Sequence, residues 1–284
     1  MVLLKDKIDM LPSLRVTVDA HGLMAKKVLG QNFLLDRNIT DKIIRLSLEK
    51  QKLKDYSSDD VFEVGPGPGG LTRAIMAAEP NHFTVVEMDD RCISIMEDIK
   101  RLAPDKMSII NGDALTIDFS ALGNNSRHVV SNLPYNISVP LLIGWLQKIA
   151  SYKSLTLMFQ KEVAERIMAP IKTKDYGRIS ILSQLQCRID RLMDLSPECF
   201  VPAPKIWSTV LLFRPNDEVL SNEQIMKLEK TTQICFAQRR KMIRQSLKGF
   251  TNLESAVEKA CVLLTMRPEE ITPQQFLILA ENLL

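Results

Sequence analysis

Val61-Phe-Glu-Val64, Gly65-Pro-Gly-Pro-Gly-Gly70 and Leu71-Thr-Arg-Ala-Ile-Met-Ala-Ala78 follow one another without a gap. The first four residues read as a short buried strand, the glycine run as a turn and the last eight as a helix. A strand that passes through glycines into a helix aims backbone N–H groups and a helix N-terminus at whatever lies on the turn. Glycine also lets the main chain approach that ligand closely. Outward from this unit, strands and helices alternate. Phe83–Glu87 reads as a strand, 91–100 as a helix, Met107–Asn111 and His128–Ser131 as strands, 141–149 as a helix, Ser154–Phe159 as a strand and 161–168 as a helix. Such alternation predicts an α/β domain on a mostly parallel sheet.

Upstream, Ile39, Ile43, Ile44 and Leu48 fall on one helical face. Downstream, two strands near 183–189 and 207–213, with no clear helix between them, predict an antiparallel pair at the sheet edge. Arg214-Pro-Asn-Asp-Glu218 reads as a linker, and the patterns beyond it are helical. The expected organisation is an N-terminal extension over 1–27, an α/β domain over 28–214 and a smaller all-helical domain over 215–284.

With 45% hydrophobic and 25% charged residues, the 284-residue chain suits a globular protein with an ample core, not a fibre or a disordered tail. Its five cysteines are odd in number, scattered and free of any C-x-x-C pair, which argues against a disulfide framework or a zinc site and fits a reducing cytoplasm. The first 27 residues are broken by Asp6, Asp9, Pro12, Arg15 and Asp19 and lack the apolar centre of a signal peptide. The longest apolar stretch, 137–146, is too short to cross a bilayer. A net charge of +3 is only mildly basic, so a nucleic-acid partner must be held by local clusters.

Three strand ends carry polar groups that an open α/β sheet presents on one edge. Glu87 closes the second strand, 22 residues after Gly65, where an acid can bind ribose hydroxyls. The third ends at Asn111-Gly-Asp113, which adds a second carboxylate. The fourth runs into Asn132-Leu-Pro-Tyr135: an amide acceptor, a stiff proline and an aromatic face, suited to a planar exocyclic amine. The glycine spelling alone also fits a nicotinamide-dependent oxidoreductase, but that reading leaves residues 132–135 unexplained.

Glu63-Val-Gly-Pro-Gly-Pro-Gly69 resembles the first motif of S-adenosylmethionine methyltransferases, and Asn132-Leu-Pro-Tyr135 resembles the motif of those that act on exocyclic amines. With Gly30-Gln-Asn-Phe-Leu34, Asn111-Gly-Asp113, Phe200-Val-Pro-Ala-Pro-Lys205 and Phe236-Ala-Gln-Arg-Arg-Lys241, the chain over 21–284 resembles the KsgA/RsmA family of ribosomal RNA adenine dimethyltransferases. The resemblance implies a Rossmann-like fold, S-adenosylmethionine as cofactor and N6,N6-dimethylation of two adjacent adenosines in the 3′-terminal hairpin of 16S rRNA. The implied setting is an immature 30S subunit in the cytoplasm, with the protein monomeric and without membrane or metal. It also implies that Asn32 and Leu34 close over the methionine side, Gly65 lies under the cofactor, Glu87 binds ribose, Asp113 binds adenine and Asn132 touches both cofactor and target. Asn132 and the Leu133 carbonyl would accept from the target amine, and Tyr135 and Phe200 are the expected stacking faces. Ile206 where valine is usual, Met242, Gln245 and about fourteen extra N-terminal residues depart from the family pattern.

Arg239, Arg240, Lys241, Arg244 and Lys248 form a basic block, whereas 215–284 as a whole holds nine Lys/Arg and nine Asp/Glu. On a continuous helix, Arg240, Lys241, Arg244 and Lys248 would flank an apolar face of Phe236, Ile243, Leu247 and Phe250, as expected for phosphate contact. Lys26 and Lys27 are further candidates to guide RNA. Two related readings stay open: a non-catalytic assembly factor on the same fold, and a methyltransferase for a large-subunit adenine such as the Erm enzymes.

Overall fold

The computed structural model describes residues 4–23 and 32–284. Lys26, Lys27, Gly30 and Gln31 therefore lie outside the described residues. Two short helices, α1 (Leu4–Asp9) and α2 (Leu14–Ala20), precede a two-residue strand β1 (Phe33–Leu34) and helix α3 (Arg37–Gln51). Then come β2 (Asp59–Val64), α4 (Gly70–Ala77), β3 (His82–Glu87), α5 (Asp90–Lys100), β4 (Met107–Asn111), β5 (Ser126–Asn132), α6 (Tyr135–Gln147), β6 (Ser154–Gln160) and α7 (Lys161–Ile167). The chain continues through α8 (Arg178–Gln186), β7 (Cys187–Leu195), β8 (Phe200–Val201) and β9 (Ser208–Pro215). Four helices end it: α9 (Asn222–Ala237), α10 (Ile243–Ser246), α11 (Leu253–Lys259) and α12 (Pro273–Leu283).

Seven strands form one sheet in the order β4-β3-β2-β5-β6-β9-β7. The five on the β4 side are parallel, and β9 runs antiparallel to β6. The central strand β2 is buried at five of its six positions, as expected of a strand covered on both faces. The order turns at β2, from which the chain first steps outward to β3 and β4 and then returns to β5. Such a reversal opens a crevice at the carboxyl ends of the strands.

Residues 183–186 are helical and β7 starts at Cys187, so the strand expected near 183–189 is displaced. Helix α8 buries Ser180, Ile181, Leu182, Ser183, Leu185 and Gln186 around its circumference and so carries no apolar stripe to betray it. Helix α6 starts at Tyr135 instead of 141 and contains Pro140, which sequence reasoning takes as a stop.

The contacts divide the chain into two compact units, 1–142 with 150–161 and 190–213, and 143–149 with 162–189 and 214–284. The single break expected near 215 is thus one crossing among several. In the second unit the Gln186 side chain donates to the Leu146 carbonyl at 2.8 Å and accepts the Leu220 N–H at 2.9 Å, stitching three distant stretches together. In the first, Leu4, Ile8 and Leu23 of the expected extension join the core of β2, β3 and α4. Arg73 of α4 donates to the Pro12 carbonyl at 2.6 Å and to Thr17 Oγ1 at 3.0 Å, so these N-terminal residues are a docked part of the domain.

Candidate active site at the carboxyl ends of the parallel strands

The glycine turn leaves β2 at the sheet edge and is pinned on both sides. Gly65 donates its N–H to the Val86 carbonyl of β3 at 2.9 Å, and Ser131 of β5 donates to the Val64 carbonyl at 2.6 Å. Two glycines are dictated by close approach. Gly67 has φ +54°, and a Cβ there would stand 2.9 Å from the Phe33 ring. A Cβ on Gly70 would collide with the Leu34 carbonyl oxygen. The turn and the 32–34 segment therefore close on each other with room only for hydrogen.

Glu87 ends β3 facing this turn and is largely buried. One carboxylate oxygen accepts the N–H groups of Met88 (2.8 Å) and Asp89 (2.9 Å), and the other faces the Gly67 N–H at 3.4 Å. Burial raises its pKa, and these N–H groups oppose the rise. Glu63, one strand in, is fully buried and accepts a 2.6 Å hydrogen bond from Thr72. Burial pushes its pKa up to about 8, against the Thr72 bond and with added repulsion from Glu87. Asp113, after β4, caps the following turn by accepting the Leu115 N–H at 2.9 Å.

Asn132, at the end of β5, donates through Nδ2 to the Asn32 carbonyl at 3.1 Å. That contact fixes the amide, and Oδ1 is the acceptor it has to offer a ligand. The Tyr135 hydroxyl lies 2.8 Å from Ser208 Oγ of β9, which anchors the ring beside Asn132. Burial raises the pKa of this phenol, so it stays neutral.

A single cleft of about 660 Å³ is lined by Asn32, Leu34, Gly65, Glu87, Asp113, Asn132, Leu133 and Tyr135, which brings together eight of the nine residues singled out in the sequence. Phe200 is the exception. It is 2% exposed, belongs to the core and pairs with Leu34 across the β1–β8 ladder, so its ring does not form a wall of the cleft. A phenylalanine between an apolar core and an open loop goes to the core because burial of a ring this size is strongly favourable. Met88 (65% exposed) and Leu115 (48% exposed) also line the cleft, and sequence reasoning missed them. Their signal was position: each directly follows or lies near a carboxylate at a strand end, where a large apolar side chain has no core to enter. A cradle without room for Cβ atoms, an acid at the adjacent strand end and apolar side chains by a second acid fit a nucleoside with an amino-acid tail.

The basic block takes a different form from the single helix expected. Helix α9 ends at Ala237, residues 238–242 turn, and α10 begins at Ile243. Arg240, Lys241, Arg244 and Lys248 are solvent-facing, while Ile243 and Leu247 are buried beneath them. Arg239 is committed elsewhere: it pairs with Glu269 at 2.9 Å and donates to the Thr173 carbonyl at 2.8 Å. Among the described residues no helix is long and apolar enough to cross a membrane.

The family model described as ribosomal RNA adenine dimethylase matches residues 22–283. The chain is 43% identical to ribosomal RNA small subunit methyltransferase A of Rhodospirillum rubrum, covering 96% of this chain and 92% of that one. It is also 43% identical to the protein of the same name from Allorhizobium ampelinum, over 98% of this chain and 99% of the relative. In three dimensions it is similar to a dimethyladenosine transferase from Plasmodium falciparum, with TM-score 0.71, 24% identity and coverage of 86% and 94% of the two chains. It is likewise similar to the 23S rRNA methyltransferase ErmE, with TM-score 0.65, 24% identity and coverage of 89% and 99%. These two likenesses establish the methyltransferase fold. The family match spans almost the whole chain and takes in the glycine turn, both strand-end carboxylates and the Asn132 loop: the chain belongs to the ribosomal RNA adenine dimethylase family.

Proposed function

We propose that the protein transfers methyl groups from S-adenosylmethionine to N6 of two adjacent adenosines in the 3′-terminal hairpin of 16S rRNA. Its substrate is the RNA of an immature 30S subunit, and it acts in the cytoplasm as a monomer. The observation that carries this reading is the placement of Asn132: its amide is fixed through Nδ2 by the Asn32 carbonyl, in the same cleft as the glycine turn and Glu87.

When bound, S-adenosylmethionine supplies a methyl group on a positively charged sulfur. Glu87 would hold the ribose hydroxyls, Asp113 the adenine of the cofactor, and the turn at Gly65 and Gly67 would take the chain of the molecule closely. Asn32 and Leu34 would cover its methionine end. On the substrate side, the target N6 shares its lone pair with the ring. Acceptors on both of its N–H groups, Asn132 Oδ1 and the Leu133 carbonyl, favour a more pyramidal nitrogen and oppose the positive charge that grows there. Tyr135 offers a ring face to a base that has left its stack, and its neutral hydroxyl is occupied with Ser208. No strong base is needed, because the amine proton leaves to water after transfer and the site works by positioning. A stacking role for Phe200 would need its ring to leave the core packing in which it is buried. Arg240, Lys241, Arg244 and Lys248 would contact RNA phosphates.

The test offers the purified protein, labelled S-adenosylmethionine and either immature ribosomal subunit, followed by mapping of the labelled nucleotides. Label on two adjacent adenosines near the 3′ end of the small-subunit RNA is expected. Label confined to large-subunit RNA, or none on adenine, overturns the reading.

A further inference from the structure

Residues 202–207 follow β8 as an exposed loop that the proposed chemistry does not use. Val201 is 49%, Ile206 39% and Trp207 48% exposed, and Lys205 also faces solvent. An exposed tryptophan gives up a large apolar surface to water and calls for a reason. Lys161 is placed with it: its N–H donates to the Trp207 carbonyl at 2.9 Å, and its ammonium sits 5.8 Å from the centre of the indole. Asp194, which also attracts Lys161, is itself held by Arg191 at 2.6 Å and by Thr209 at 2.7 Å.

The topology puts this pair on the same edge as the cleft. β5 ends at Asn132 opposite Met158 of β6, and β6 ends at Gln160 opposite Ser208, the first residue of β9. Because β9 runs antiparallel to β6, Trp207 and Lys161 sit at the carboxyl end of the parallel strands. Two interstrand steps, roughly 10 Å, separate the strand of Asn132 from that of Trp207. Ser208, next in the chain to Trp207, holds the Tyr135 hydroxyl. An exposed aromatic ring with a lysine ammonium over it, on the same sheet edge as a pocket for one base, has the chemistry of a single-strand nucleotide subsite: a ring for stacking and a cation for phosphate.

We infer that Trp207, with Lys161, stacks a nucleotide that neighbours the target adenosine in the same strand, and so helps to present the target to Asn132 and Tyr135. The inference rests on the function proposed above. Stacking of this kind is made equally in the bound and reacting states, so its loss raises KM and leaves kcat.

Steady-state methylation of unmethylated small subunits by Trp207→Ala, Trp207→Phe and Lys161→Gln is the first test. Trp207→Ala should raise KM on the order of 10-fold with kcat within about twofold of wild type, the effect of removing one base-stacking ring. Trp207→Phe, which keeps a π-face, should recover most of it, and Lys161→Gln should fall between. The chain has two tryptophans, and Trp145 is buried, which allows a second test independent of turnover. A short single-stranded oligoribonucleotide should quench the emission of the wild-type protein, and Trp207→Phe should abolish the quench. Normal adenine methylation by Trp207→Ala at unchanged KM, or a quench that survives in Trp207→Phe, overturns the inference and leaves the proposed function standing. A wild-type protein that methylates no adenosine overturns both.

Discussion

Replacing Glu87 separates its two tasks. As Glu, it accepts the Met88 and Asp89 N–H groups on one oxygen at 2.8 and 2.9 Å and faces the Gly67 N–H with the other at 3.4 Å. Glu87→Ala removes both carboxylate oxygens, and with them the acceptors for all three N–H groups and for the ribose. Hydrogen bonds to a charged group contribute about 1.5 to 3 kcal/mol each. Relief from burying the carboxylate offsets part of the two short ones, so a net destabilisation of about 2 kcal/mol is expected. Glu87→Gln keeps an amide oxygen for Met88 and Asp89, and stability should stay within about 1 kcal/mol of wild type. Its ribose contacts lose their charge. Because charge-assisted bonds are roughly twice as strong as neutral ones, each of two hydroxyl bonds weakens by about 1 kcal/mol, which together make binding on the order of 30-fold weaker. Urea unfolding and calorimetric titration with S-adenosylhomocysteine read the two quantities on the same samples. Wild-type affinity in a folded Glu87→Gln protein would remove the ribose from this carboxylate, and wild-type stability in Glu87→Ala would show that the clasp on residues 67, 88 and 89 adds nothing.

Asn132→Ala should lower single-turnover methylation at saturating S-adenosylmethionine by roughly 10² or more with little change in RNA binding, as when one polar group aimed at a developing charge is deleted; a near wild-type rate refutes the role of its Oδ1. Arg240→Ala with Arg244→Ala should lower the slope of log affinity against log salt by about 0.7 to 0.9 for each phosphate that is no longer neutralised, and an unchanged slope would mean that these side chains are only solvated. Arg239→Ala serves as the contrast, with a loss of stability through Glu269 and no change in slope. For Glu63 the folded pKa lies above the unfolded one, so its contribution is fully present below the ordinary carboxylate range and is lost as pH rises through about 8. Glu63→Gln, which cannot ionise, should flatten that part of the stability profile in urea titrations from about pH 5 to 9; an unaltered fall with pH would place the titration elsewhere.

The parallel core was legible because each strand from β2 to β5 closes on a chemical signal at its carboxyl end: glycine, Glu87, Asp113 or Asn132. The cleft followed, since in a parallel sheet all of those ends share one edge. Less legible were elements whose burial is uniform. Helix α8 shows no stripe, and α6 accepts Pro140 inside it, so periodicity misplaced both. The second unit draws in 143–149 and 162–189 through hydrogen bonds such as Gln186 with Leu146, which no local pattern announces. The turn at 238–242 breaks a helix that the spacing of charges would carry through. Phe200 shows the same limit: its motif marks a site, but the sequence does not say whether the ring rests in the core or in the cleft.

The β1–β8 ladder joins Phe33 to Val201 and Leu34 to Phe200 and nothing more, whereas β2 and β3 share five registered pairs. Yet Phe33 and Leu34, which line the cleft with Asn32, are buried members of the core, so apolar packing and not this short ladder holds that strip in place. The ladder adds a few hydrogen bonds of about 0.5 to 1.5 kcal/mol each, whereas burial of a Phe or Leu side chain contributes about 1.5 to 3 kcal/mol. Repeated methylation of one RNA requires spent cofactor to leave and fresh cofactor to enter between transfers. The apolar seat of Phe33 and Leu34 and the hydrogen bonds that hold the glycine turn, Glu87 and Asn132 give each cofactor the same wall to load against, so each round of chemistry meets the same geometry as the first.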